Sequence, residues 1–302
     1  MPKNARGSNE SGVKPPHSKI ALLKLLYRRI NDHALLARSA QLSYYFLLAL
    51  FPLLVFLVTL LGYFAQAGSE LRSSLLRYLG TVMPYSAITL VRATLDEISD
   101  SRGGGKLSFS LLAALWVASS GMVAIGDTLN VAYDVKETRA WWRRRLTSVL
   151  LTMGLTILIV SALLIVLYGG ALGEKLALAL GYSAAFETTW GIIQWPILLL
   201  FVFLTFALTY YFAPNLPQRS WTRATPGVTV AVALWLVISF GLRFYLHFFN
   251  SYSRTYGSLG ALIVLMLWFY LTGLAVLLGG EINSMIEGAR LVRDETMTSS
   301  NN

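Results

Sequence analysis

The chain has 302 residues, 55% of them apolar and only 13% charged, against roughly a quarter charged in an average soluble domain. That excludes a water-soluble enzyme and a disordered chain, and the absence of cysteine excludes a disulfide scaffold. The 25 Lys+Arg against 15 Asp+Glu leave +10, which suits nucleic acid, an anionic membrane surface or the loops of a membrane protein, depending on where the charges sit.

Residues 1–17, with Pro2, Gly7, Pro15 and Pro16, read as a disordered tail. Over 18–38 a helical wheel puts Ile20, Leu23, Leu26, Tyr27 and Ile30 together and Lys24, Arg28, Arg29 and Asp32 opposite. This is the pattern of a basic helix lying on a leaflet, with docking on a partner helix as the other reading. A hydrocarbon core of about 30 Å takes roughly 20 helical residues. Six uncharged stretches reach that length: Ser39–Ser69, Leu107–Gly126, Leu146–Gly173, Thr188–Gln218, Ala224–Leu242 and Thr255–Gly280. They place a transmembrane domain over 39–287.

Two connections are long enough for structure of their own. In 67–106, Leu71, Leu75, Leu76, Leu79 and Val82, then Ile88, Val91, Leu95 and Ile98 beyond Pro84, predict two external amphipathic helices ended by Arg102-Gly103-Gly104-Gly105. Leu176–Phe186 predicts a short interfacial helix, and 288–302 a polar tail. Continuous apolar runs without period-two alternation exclude a membrane barrel. The fold class is therefore all-α: a polytopic bundle of six transmembrane helices with an N-terminal amphipathic helix and external amphipathic helices.

Orientation follows from Lys and Arg in the loops. With the N-terminus inside, eight precede Ser39, five lie in Asp134–Arg145, two are Arg219 and Arg223, and two are Arg290 and Arg293, seventeen in all. The opposite face holds seven: Arg72, Arg77, Arg92, Arg102, Lys106, Lys175 and Arg254. Both termini are expected in the cytoplasm. Trp141, Trp142, Trp190 and Trp221 at span ends fit the aromatic belts, and the basic Arg139–Arg145 loop reads as topology rather than nucleic-acid binding.

A charge at mid-bilayer costs roughly 2.5 to 3.5 kcal/mol on the insertion scale, so polar residues in spans carry the functional information. Ser120, Ala124, Asp127 and Asn130 share one face of span two; Trp235, Ser239, Arg243, His247 and Asn250 share one of span five; Tyr270, Gly273, Leu277, Gly280 and Glu281 lie together on span six. Asp127 lies near the inner end and Arg243 near the outer end, about 20 Å apart in depth, so they cannot pair. Asp127 and Glu281 share the inner end, within reach of Arg139 and Arg143 to Arg145. Two readings stand: interfacial carboxylates satisfied by loop arginines, or a substrate path of Asp127, Asn130, Arg243, His247 and Glu281. No nucleotide, metal or nucleophile motif is present, so neither cofactor nor catalytic residue is expected.

The ordered motifs Leu42-Ser43-Tyr44-Tyr45 with Leu47, Leu48, Phe51 and Pro52; Ser120-Gly121 with Asn130 and Tyr133; Tyr211 with Ala213-Pro214; Trp221 before Pro226-Gly227; Tyr256-Gly257-Ser258-Leu259-Gly260; Trp268 with Tyr270; and Leu278-Gly279-Gly280-Glu281-Ile282-Asn283 span Ala40 to about Glu287. Together they resemble the YihY / virulence factor BrkB family of bacterial inner-membrane proteins. Gly280 departs from a more usual alanine, which is expected to loosen the helix beside Glu281, and Phe212 from a frequent tyrosine. The resemblance implies six spans in the bacterial cytoplasmic membrane. It also brings an old ribonuclease BN label, unsupported by the residues here, and proposals of transport.

The expected function is a non-enzymatic transporter or flippase-like protein for envelope lipid or another amphipathic, anionic solute. A structural or scaffolding protein of envelope assembly is the alternative. Membrane lipid, and a second copy in a homo-oligomer, are the expected partners; nucleic acid is not.

Overall fold

The computed structural model describes residues 19–65, 73, 104–180, 183–217, 220–248 and 258–300. The expected tail over 1–17, nearly all of the external segment 67–106, and Tyr256 and Gly257 lie outside the described residues, as do the side chains of 176–186.

Among the described residues seven helices follow in order: α1 (Lys19–Asp32), α2 (Leu35–Ala65), α3 (Gly104–Ala132), α4 (Trp141–Leu180), α5 (Ser183–Phe212), α6 (Trp221–Phe248) and α7 (Ser258–Ser300), with no strand. Five segments among them have the length and hydropathy of a span: Leu112–Ala132, Trp141–Ile165, Thr189–Phe212, Ala224–Leu246 and Leu262–Glu287. The expected first span falls in α2, whose 31 residues reach about 46 Å; its side chains beyond Leu53 lie outside the described residues. The chain is a multi-pass, all-α membrane protein.

Left-handed residues make two of the turns. Ala34 (φ 50°) separates α1 from α2, so the basic segment and the first span are two helices meeting at His33. Asp134 (φ 54°) ends α3. Its neighbour Val135 N–H returns to the Asn130 carbonyl at 2.8 Å, the six-to-one bond of a Schellman cap, with aspartate where glycine is commonest.

Lipid supplies no hydrophobic drive between helices, so close backbone approach holds the bundle together. α7 is central, packing on α1, α2, α3 and α6. A Cβ on Gly273 would meet Leu42 of α2 at 3.3 Å, one on Gly280 would meet Leu129 of α3 at 3.0 Å, and one on Gly227 of α6 would run into the Gly279 carbonyl and Asn283 of α7. Gly121 likewise admits Ala49. Around these contacts Leu42, Leu129, Tyr210, Val228 and Leu277 are buried. Hydroxyls in the helices turn back onto their own backbone: Thr128 to Ala124, Thr152 to Ser148, Thr156 to Thr152 and Thr209 to Thr205. Each of these four hydroxyls is thus satisfied without water.

The link from α3 to α4 does not run straight on. Asn130 bonds Glu137, Arg139 reaches the Ala213 carbonyl, and the first turn of α4 lies beside Trp116–Asp127 through Arg144 and Arg145. Residues 134–140 therefore double back along α3, and its last two turns project beyond the level at which α4 starts. We call this the basic end of the bundle.

Candidate functional site

Glu281 is fully buried on α7, where α1 and the end of α3 converge. One of its oxygens, Oε1, lies 2.5 Å from His33 Nδ1. The other, Oε2, faces Arg29 Nε at 3.4 Å and accepts no hydrogen bond. Beyond them stands Asp134, which pairs with Arg29 and lies 3.1 Å from His33 Nε2. Arg29 also donates to Ser284 Oγ at 3.0 Å. Both ring nitrogens of His33 thus face carboxylates, Nδ1 that of Glu281 and Nε2 that of Asp134.

One turn on, Asn283 mends a break in α6. Pro226 carries no N–H and disrupts the helical ladder. Asn283 accepts from Gly227 N–H at 2.6 Å and donates to the Ala224 carbonyl at 3.0 Å and to Tyr133 Oη at 2.9 Å. Tyr210 of α5, wholly buried, donates to the Val276 carbonyl at 2.5 Å. Helices α3, α5, α6 and α7 are therefore pinned at one level by a tyrosine–asparagine network.

The third cluster holds the returning link. Asn130 accepts from Asn215 N–H at 2.6 Å and donates to Glu137 at 2.9 Å. Glu137 also accepts from the Arg139 backbone N–H and from its guanidinium at 2.7 and 2.8 Å. Chiefly because of those Arg139 hydrogen bonds, the Glu137 carboxyl is held down at about 2, from an ordinary 4.5. A folded-state value below the unfolded one means that its stabilisation is complete above about 4.5 and is lost as pH falls towards 2. Acid is expected to loosen the 134–140 link. Glu137→Gln should remove that part of the acid sensitivity, read as the pH dependence of hydrogen–deuterium exchange at the 134–140 amides after correction for the intrinsic rate; unchanged acid sensitivity would reject the assignment.

The structure brings the predicted residues together only in part. Asp127 is half-buried and ion-paired with Arg144 of α4; Asn130 and Glu281 are buried nearby. Glu281, however, meets none of the loop arginines considered for it. Its partners are Arg29 and His33 of the N-terminal segment, and Arg29 turns inward although the wheel set it on the face opposite the apolar one. Of that apolar face, Ile30 packs on the core whereas Ile20 and Tyr27 are exposed. Arg243 is exposed on α6, sixteen residues past Gly227, about 24 Å along the helix from the cluster. The side chain of His247 lies outside the described residues.

The profile of the family described as Virulence factor BrkB matches residues 26–301. The chain belongs to this family. It is 39% identical over 276 residues to a "Putative ribonuclease-like protein YfkH" of Bacillus subtilis (strain 168), covering 91% of this chain and 98% of that protein. It is 28% identical over 279 residues to a "UPF0761 membrane protein" of Xanthomonas campestris pv. campestris (strain 8004), and 29% over 277 residues to one of Xanthomonas oryzae pv. oryzae (strain PXO99A). The chain spans 61% of the length of these two relatives. No solved structure matches it.

The motif residues that resemble this BrkB family converge on the bundle's contacts. Ser43 bonds the Met266 carbonyl of α7 at 2.9 Å, Tyr45 packs on the core, Tyr44 is exposed, and Pro52 lies within α2. Tyr133, Pro214 and Asn283 are buried, as is Gly260 at the start of α7. A Cβ at Gly280 would meet Leu129 at 3.0 Å and Ala132 at 3.3 Å, so its absence lets both close in beside Glu281. Phe212 sits edge-on to Tyr211 and Trp221, which stack on each other at 4.2 Å.

Proposed function

We propose that this BrkB-family chain is a transporter or flippase-like protein of the bacterial inner membrane, moving envelope lipid or another amphipathic, anionic solute. The reading rests on one observation: a fully buried carboxylate, Glu281, in a membrane helix, held by Arg29 and His33 from a separate short helix. Ionisable groups in membrane segments are costly and mark pathways by default. With both termini in the cytoplasm, the cluster forms the inner vestibule. An anionic headgroup arriving there competes with Glu281 and Asp134 for Arg29 and His33 and so releases α1 from α7. Arg243 and His247 receive the headgroup at the far end. In this reading the chain is not an enzyme, and the ribonuclease-like name of the Bacillus relative is not carried over.

The dense packing around Leu129, Val228 and Leu277 favours a second reading, a non-transporting scaffold of envelope assembly. Reconstitution separates the two. Liposomes carrying the protein are expected to scramble fluorescent phospholipid or release an anionic solute, with at least a tenfold loss in Glu281→Gln and Arg29→Ala. Wild-type rates in both variants would reject the site, and the absence of any flux would leave the scaffold.

A further inference from the structure

We infer that the surface where the first turn of α4 meets α3 binds one anionic phospholipid, its headgroup on Arg143 and Arg145 and an acyl chain along the exposed stripe of α4. This site stands apart from the transport reading. Of three consecutive arginines, only Arg144 is paired with a carboxylate, Asp127. Arg143 is exposed, has no acidic partner among the described residues, and lies 5.0 Å over the Trp142 ring. Arg145 lies 4.3 Å over the Trp116 ring and donates to Ser120 Oγ at 3.2 Å and to the Trp116 carbonyl. Its Nε is shielded from solvent and has no acceptor. Among the described residues neither guanidinium meets a carboxylate; exposed Arg143 presents a planar donor fork that matches phosphate, and Arg145 adds its positive charge beside it.

What lies next to them fits a lipid rather than a free anion. Trp141, exposed at the start of α4, stands where tryptophans at the headgroup level do, and the exposed Trp116 ring lies beside it with centroids 6.1 Å apart. From Trp142 the exposed residues Leu146, Leu150, Met153 and Ile157 continue down α4 on one face. Eleven residues from Leu146 to Ile157 rise about 16 Å, the depth of one leaflet's hydrocarbon. The surface thus joins net positive charge to an apolar track of acyl-chain length. Snorkelling arginines that serve topology alone would show neither preference for lipid charge nor dependence on one pair of side chains.

The test is native mass spectrometry of the detergent-purified protein titrated with phosphatidylglycerol, phosphatidylcholine or inorganic phosphate. Wild type is expected to retain one phosphatidylglycerol at least tenfold more tightly than phosphatidylcholine. The Arg143→Gln/Arg145→Gln protein should lose that preference, while Lys136→Gln, which removes one positive charge from the neighbouring link, keeps it within twofold. Should Arg145→Gln fail to fold, Arg143→Gln alone, at an exposed position, is expected to weaken retention at least threefold. Equal retention of the two lipids, wild-type retention in the arginine variants, or equal loss in Lys136→Gln overturns the proposal. Displacement of phosphatidylglycerol by inorganic phosphate at matched concentration would also overturn it, assigning a soluble-anion site.

Discussion

Gly279→Ala is expected to cost about 2–3 kcal/mol, at the upper end of what overpacking costs in a filled core. The new methyl would be driven into Tyr210 Oη, the Gly227 carbonyl at 2.6 Å and Ala231 Cβ at 2.8 Å. Two of these belong to α6, on either side of its most intimate approach to α7, and the third donates the hydrogen bond that ties α5 to Val276. None is the loose end of a flexible chain. Gly154→Ala and Gly241→Ala are the controls, because a Cβ at either position meets nothing within 4 Å. These should be neutral or stabilising by up to about 1 kcal/mol through helix propensity. Thermal unfolding of the detergent-solubilised variants measures the difference, and a Gly279→Ala midpoint equal to that of Gly154→Ala would refute close helix approach at this level.

Glu281→Ala is expected to cost about 3–5 kcal/mol, the usual consequence of removing one member of a buried ion pair. Arg29 and His33 would keep only Asp134, which is exposed on its outer side. Glu281→Gln retains an acceptor for His33 and should fall between wild type and alanine. The informative quantity is coupling: Glu281→Ala/Arg29→Ala should be less destabilised than the sum of its parts by at least about 1 kcal/mol. Additivity within about 0.5 kcal/mol would show that Arg29 does not act on Glu281, and with it the docking of α1 on α7 would fall. The same set of variants in liposomes links stability to flux, since the proposed competition for Arg29 requires this pair to open.

Much of the architecture was legible because bilayer physics is written into composition. Long uncharged runs, their approximate ends and the family motifs follow from the chain alone, and five of the six expected spans appear where the hydropathy puts them. Asp127, Asn130 and Glu281 were legible as costly residues for the same reason. Their partners were not. Helical periodicity set Arg29 opposite the apolar side of α1, yet a long side chain is directed by what lies within its reach, and the left-handed Ala34 folds α1 back so that Arg29 and His33 meet α7. Nothing local in the sequence of α1 announces an acid 248 residues away from His33.

The doubling back of 134–140 was equally hidden. The seven residues read as a simple loop, but Asn130 and Ala213 supply the side-chain and backbone partners that hold Glu137 and Arg139 against α3. That return sets the tryptophan and arginine level of α4 beside Trp116 instead of Ala132. By itself, then, the sequence determined an all-helical, multi-pass membrane protein, because hydrophobic length and charge placement depend only on residue order and the bilayer's thickness, and its ordered motifs carried the resemblance to the BrkB family. Tertiary structure alone decided which cation meets which acid and which glycine meets which helix, because such pairings depend on a few ångströms of approach between segments far apart in the chain.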